Sequence, residues 1–228
     1  MRFVSASNPL TIGATRRRAT LSLLAAAVMA LSPTVWAATS DEAVVDLQQA
    51  WELINYRTPA AEREKKFEAL ADRAHKVSEA FAGKPEPMVW EGIILSSWAG
   101  EKGGLGALSL VKQAKALYET AIRIDGNALD GSAYNSLGVL YYKVPGWPLG
   151  FGDKAKAREM LQKALAINPN GIDPNYFYAD FLVQTEEPQK AVAHLEKALQ
   201  APARAGRAVA DEGRRTEVRQ LLVKVKGK

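Results

Sequence analysis

Side chains able to do acid–base, nucleophilic or metal chemistry are few in this chain, and their spacing does not assemble a reaction centre. His75 and His194 are the only histidines, and each lies within a long amphipathic helical stretch with no second His or Cys at ligand spacing. They read as solvated or rim histidines. The chain has no cysteine, which removes disulfides, thiolate metal sites, a cysteine nucleophile and a lipid-modified cysteine together. Carboxylates are plentiful, but Glu62, Glu64 and Glu68, and Asp211 with Glu212, stand among basic residues as on solvated helix faces. No serine sits in a nucleophile elbow, and the glycines at 103–106 and 146–152 lack the Gly-Lys-Ser/Thr ending that a phosphate cradle needs. Binding is therefore the expected chemistry, with no catalytic residue, cofactor or metal.

The elements that would position a binding site are helices. Ala157, Leu161 and Ala164, followed by Pro169, recur as Ala191, Leu195 and Ala198, followed by Pro202. Spacings of four and three put two alanines and a bulky residue on one helical face, and the proline ends the helix soon after. Upstream of the copies stand Tyr134, Leu137, Gly138 and Tyr141, and then Asn175, Tyr178, Ala179 and Leu182. These residues resemble the tetratricopeptide repeat (TPR), whose signature is an aromatic, Leu-Gly, Tyr, then Ala, Phe, Ala and Pro. The resemblance covers residues 130–203 well and 41–128 loosely, and in overall plan it extends to exported bacterial TPR proteins, some of them associated with solute-transport systems.

The resemblance implies an all-α superhelix within one domain, residues 38–228. Helical periodicity runs through the chain with no convincing alternating strand, and four hairpins are expected at about 41–85, 86–128, 130–169 and 172–203. The first helix takes Ser40 as its N-cap, and the second ends near Gly83. A flexible connection is expected over Gly100–Gly106, and Ala114, Tyr118 and Ala121 repeat the second-helix spacing beyond it. Their counterparts in the preceding helix fall on either Glu91-Gly92 or Ile93-Ile94. A last helix at about 208–225, with Val218, Leu221, Leu222 and Val225 on one side, caps the stack.

One interruption stands out. Tyr134 to Ala157 is 23 residues, whereas Asn175 to Ala191 is 16, the value of an uninterrupted 34-residue repeat, so seven extra residues lie between the helices of the third hairpin. The insertion falls in the stretch Lys143–Asp153, where Pro145 and Pro148 restrict the backbone and Trp147, Leu149 and Phe151 have apolar surface to bury. Asp153 is placed to cap the next helix. Two readings stay open: Trp147 and Phe151 plug the loop onto the hairpin, or they rim a pocket.

In TPR proteins the first helix of each hairpin lines a concave groove where partners lie. Carried over to this chain, the inward positions are Asn135, Val139 and Tyr142 in the third hairpin and Tyr176, Asp180 and Val183 in the fourth. Asn135 and Asp180 have the least packing reason to face inward. The carboxylate clamp of some TPR domains is not reproduced, because Tyr176 replaces the second polar position and Asp180 would repel a carboxylate.

The chain carries 30 Lys+Arg against 25 Asp+Glu. Arg16, Arg17 and Arg18 precede an apolar run from Ala19 to Leu31, and Val35-Trp36-Ala37 offers small residues at the positions a signal peptidase reads. A cleaved export signal, residues 1–37, is the expectation, with a retained anchor as the alternative. The run falls short of the ~20 apolar residues of a spanning helix. The arginine cluster also resembles a twin-arginine signal, although Ala19 and Thr20 stand where stronger apolar residues are usual. Removing the segment takes away four arginines and leaves 26 against 25, so the basicity is no argument for nucleic-acid binding. The mature remainder ends in a basic tail from Arg204 to Lys228, read as a solvated terminal helix or as a contact for an anionic membrane or acidic partner.

The expected function is a periplasmic, non-enzymatic TPR-type scaffold that holds a protein or peptide in its concave groove. The alternative is a small-solute-binding accessory of a transport system. Its pocket would lie near the Pro145–Asp153 loop, formed by Trp147, Phe151, Tyr176 and Asp180.

Overall fold

The computed structural model describes residues 39–227; the expected export segment and its cleavage point lie outside the described residues. Helix α1 (Ser40–Arg57) is capped by Thr39, not Ser40. The Glu42 amide donates to Thr39 Oγ1 at 3.2 Å and the Thr39 amide donates to Glu42 Oε2 at 2.8 Å, which satisfies two orphan donors reciprocally. Pro59 then holds Thr58 extended, and α2 (Ala60–Ala80) follows. Helix α3 (Pro85–Lys102) accepts Pro85 and Pro87 in its first turn, where a missing N–H costs nothing. It also runs through Gly100, so the flexible connection expected over Gly100–Gly106 shrinks to a corner at Gly103, whose φ of 64° and ψ of −177° suit glycine. Beyond it come α4 (Gly104–Asp125), α5 (Ala128–Lys143), α6 (Lys154–Ile167), α7 (Ile172–Gln184), α8 (Pro188–Leu199) and α9 (Ala208–Lys226). Asp153 caps α6 as expected, accepting the amides of Ala155 and Lys156 at 2.9 and 3.1 Å. Among the described residues there are nine helices and no strand: the fold is an all-α, TPR-like helical repeat.

Small residues set how closely the helices approach. A Cβ on Gly138 would lie 2.7 Å from Leu161 Cγ, so the α5/α6 pair closes only around glycine. A Cβ on Gly92 would lie 2.5 Å from Tyr118 Cε1 in the same way. Tyr118 thus takes the place of Leu161, and the α3/α4 pair is registered on Glu91-Gly92, one of the two registers left open by the sequence. In the α7/α8 pair Ala179 and Leu195 are both fully buried at the matching positions. Asn175 is fully buried as well, and its amide donates to the carbonyls of Pro169 and Gly171 at 3.0 and 2.8 Å, tying the turn between hairpins. Both histidines make hydrogen bonds between helices, His75 from an exposed rim position: His194 Nδ1 lies 3.2 Å from Asn175 Oδ1, and His75 Nδ1 lies 2.8 Å from Glu91 Oε1, joining α2 to α3.

The first helices α1, α3, α5 and α7 contact one another in order and form one side of the stack. Helix α9 buries Ala210, Val218 and Val225 and packs on α8, as a terminal cap should. It also packs on α7 and reaches α1, the far end of the row. Glu52 of α1 accepts the Ala210 amide at 3.1 Å near the start of α9, where helix N–H groups lack partners. Gly213 permits the approach, since a Cβ there would lie 2.3 Å from the Tyr56 ring. Gly213→Ala should therefore overpack the α1/α9 junction by about 1–3 kcal/mol, lowering Tm by roughly 3–10 °C in a thermal melt. Gly100→Ala, at a helical position with open space around it, should leave Tm unchanged or raise it slightly.

Candidate functional site: a roofed cavity on the concave side

Because α9 spans from α7 to α1, the side lined by the first helices is roofed, and a cavity of about 250 Å³ remains beneath. Helix α1 supplies Trp51 and Tyr56; α3 supplies Trp90, Ile93, Ser96 and Ser97; α5 supplies Asn135, Ser136, Val139 and Leu140. Asp173 and Phe177 come from α7, and Arg204, Arg207, Ala210 and Arg214 from the α8–α9 connection and α9. The aromatic wall is rigid. Trp51 Nε1 donates to Ser97 Oγ at 2.8 Å, and its ring meets those of Trp90 and Tyr56 edge-on at 6.0 and 5.8 Å.

The arginine side is built on four carboxylates, Asp173, Asp211, Glu217 and Glu52. Asp173 accepts Arg204 Nη1 at 2.6 Å and Arg214 Nε at 2.7 Å. Arg204 also donates through Nε to Asp211 at 2.7 Å, and Arg214 pairs with Glu217 while lying over the rings of Tyr176 and Phe177 at 4.6 and 4.4 Å. Arg207 lies 5.0 Å over Trp90, with its Nε 3.4 Å from Glu52. Burial by itself would raise the Asp173 carboxyl, but the guanidiniums of Arg214 and Arg204 outweigh it and hold Asp173 well below its ordinary value. Burial pushes the Tyr56 and Tyr176 phenols up to about 12, so both stay neutral hydrogen-bonding groups.

Of the six residues expected from sequence to form a site, Asn135 lines this cavity, with 7% of its surface exposed. Tyr142, Tyr176 and Asp180 do not line it. The Tyr142 hydroxyl donates to Asp180 Oδ2 at 2.8 Å, Lys143 Nζ reaches the same oxygen at 2.7 Å, and Tyr176 is covered by Arg214. These groups satisfy one another beside the cavity. Nor do Trp147 and Phe151 line it: no residue of the Pro145–Asp153 loop does. Phe151 packs edge-on against Tyr141 at 6.0 Å, whereas Trp147 is 89% exposed, so the plug reading holds for one aromatic and fails for the other.

Residues 149–211 match the tetratricopeptide repeat. The matched stretch runs from the end of the inserted loop through α6, α7 and α8 into the start of α9, the part of the chain where the repeated residues are most regular. No curated protein matches the chain. Tetratricopeptide repeats are binding modules that generally engage other proteins, and this assignment speaks for fold more than for ligand. Among the described residues no helix is long and apolar enough to cross a membrane.

Sequence reasoning missed the cavity's arginines by reading Arg204 to Lys228 as a solvated terminal helix or as a contact for an anionic membrane or acidic partner. For two of them the signal lay in periodicity: Arg207, Ala210, Arg214 and Val218 follow one another at spacings of three, four and four, which places Arg214 on the buried face of α9 and Arg207 in line with it at the N-cap. Asp173→Asn should leave both guanidiniums without their shared carboxylate. Its side chain retains 28% exposure toward the cavity, which puts the cost near the lower end of a broken buried pair, about 3 kcal/mol. The depressed pKa makes this stabilisation complete above the ordinary value of 3.8 and lost as pH falls below it toward the folded value. Melts taken across that acid range should show a shallower decline for Asp173→Asn than for wild type.

Proposed function

We propose that this chain is an exported, non-enzymatic binding protein of the periplasm that uses its helical repeats as a scaffold for a protein partner. Support comes from the tetratricopeptide-repeat match and from the inserted loop inside the third hairpin. The observation that carries the reading is the exposure of Trp147 and Leu149, 89% and 72%, on a loop whose backbone is tied down. The Gly152 amide donates to the Pro145 carbonyl at 2.9 Å and the Asp153 amide to the Tyr141 carbonyl at 2.8 Å. Gly150 also has to be small, because a Cβ there would lie 2.5 Å from the Pro145 carbonyl oxygen. A rigid loop presenting a tryptophan and a leucine to water loses little conformational entropy on docking, and buried tryptophans dominate interface energetics at about 2 kcal/mol or more each.

The concave groove, first choice on sequence grounds, is a poorer seat for a polypeptide. The α9 roof leaves about 250 Å³, roughly eight water volumes at ~30 Å³ each. The partner contact is therefore assigned to the loop, which does not line that cavity.

A photo-cross-linking residue at position 147, compared with one at position 180, tests the assignment in cells. Trp147→Ala with Leu149→Ala should weaken partner capture at least 30-fold, the equivalent of ~2 kcal/mol, with Tm unchanged because neither side chain is packed. Undiminished capture by that variant, with cross-linking from position 180, would return the contact to the groove. Export is tested separately: the mature protein should be recovered from the periplasmic fraction with Ala38 as its first residue, and an intact N-terminus in the cytoplasm would sink that part of the proposal.

A further inference from the structure

The roofed cavity holds polar groups that the fold does not use. Arg204 and Arg214 are each paired with two carboxylates, Asp173 and Asp211 for the first, Asp173 and Glu217 for the second. Arg207 differs. Its side chain is 12% exposed, its Nε reaches Glu52 only at 3.4 Å, outside the usual 2.7–3.2 Å range of an N–H···O bond, and its two terminal nitrogens donate to no group among the described residues. The guanidinium is fixed over the face of Trp90 and lines the cavity. Asn135, in the same lining, is more than nine-tenths buried, and its Oδ1 has no hydrogen-bond partner among the described residues. A buried amide left unpaired is costly. Since the oxygen and nitrogen of an amide exchange by a flip, Asn135 offers either a donor or an acceptor to whatever occupies the cavity.

We infer that the cavity is a binding site for a small organic monoanion, a carboxylate carried on a flat apolar body, with Arg207 as the carboxylate's fork and Asn135 as a second polar contact. A guanidinium presents paired N–H donors that match a carboxylate, and here they would act away from bulk water. The apolar body would lie against Trp51, Trp90, Ile93 and Phe177. The charges facing the cavity favour an anion over a cation. Among the lining residues, Arg204, Arg207 and Arg214 stand against one carboxylate, Asp173, which is committed to two of them, while Glu52 lies outside the lining and accepts the Ala210 amide. Burial and the neighbouring Arg204 both press the Arg207 pKa below its ordinary value, and an anion would relieve that pressure. The volume, about 250 Å³, limits the ligand to a molecule smaller than most drug-sized ligands, whose pockets begin near ~300 Å³. This inference goes beyond the protein-partner reading and shares none of the residues of the Trp147 loop. It keeps the alternative class of a small-solute site and moves it to the cavity under α9.

The test uses the mature chain with benzoate, phenylacetate and indole-3-acetate as probes, benzamide as the neutral isostere and benzylamine as the cation. Binding is read by calorimetry and by quenching of Trp51 and Trp90 in a Trp98→Phe/Trp147→Phe background. At least one carboxylate should bind saturably with a Kd on the order of 1 mM or tighter, and at least 10-fold more tightly than benzamide or benzylamine. Arg207→Gln should weaken that carboxylate at least 10-fold. If Arg207→Gln fails to fold, Asn135→Ala, which removes no ion pair, should weaken it several-fold with Tm retained. Equal binding of acid and amide, equal binding by wild type and the folded variants, or no saturable binding of any carboxylate up to about 10 mM would each overturn the inference.

Discussion

A helical repeat is open at both ends, and what closes this one is a set of buried carboxylates that draw the C-terminal helix across the stack. Asp173 on α7 holds Arg204 and Arg214, and Glu52 on α1 accepts the Ala210 amide near the start of α9 and faces Arg207. Burying arginines is unfavourable unless each is paired, and removing one partner strands the other, so the lattice holds α9 in place once formed. Without it, α9 would still cover the apolar end of α8, but nothing would direct its N-terminal half toward α1. The cavity exists because of that direction.

The repeat core follows a simpler constraint. Gly92 under Tyr118 and Gly138 under Leu161 are the same small-against-large contact, and Ala179 with Leu195 is its third instance. Close packing penalises both voids and overlaps, so each pair of facing positions must sum to about one volume. This explains why a tyrosine at position 118 needs a glycine at 92, and why a register invisible from the α3 sequence alone became plain from its neighbour. The pattern was legible wherever both members were strong. It faded toward the N-terminus, where the α1/α2 pair uses Trp51, Phe67 and Leu70 in place of the signature residues.

The inserted loop shows where composition misleads. Trp147, Leu149 and Phe151 have similar reasons to leave water, yet Phe151 packs against Tyr141 beneath Lys115 while Trp147 and Leu149 stay exposed. The geometry is set by backbone bonds from Gly152 and Asp153 to Pro145 and Tyr141, and by the room that Gly150 and Gly152 leave for the chain to fold on itself. Once those are made, only position 151 faces the hairpin. Hydrophobicity states what a side chain would gain by burial, and the backbone decides whether a partner surface is within reach.

By itself the sequence determined the helices, their pairing and the seven-residue interruption, because periodicity, caps and proline stops are local properties of neighbouring residues. It also singled out Asn135, together with Asp180, as polar residues with little packing reason to face inward. Tertiary structure alone decided that Tyr142, Tyr176 and Asp180 satisfy neighbouring groups, that the arginines of α9 turn inward, and that a cavity forms between them and Trp90. Glu52 and Ala210 are 158 residues apart, and the free energy of burying Arg207 or Arg214 depends on carboxylates contributed by other helices. An arginine reads the same in sequence whether solvated or buried. Only the position of its counter-charge tells the two apart.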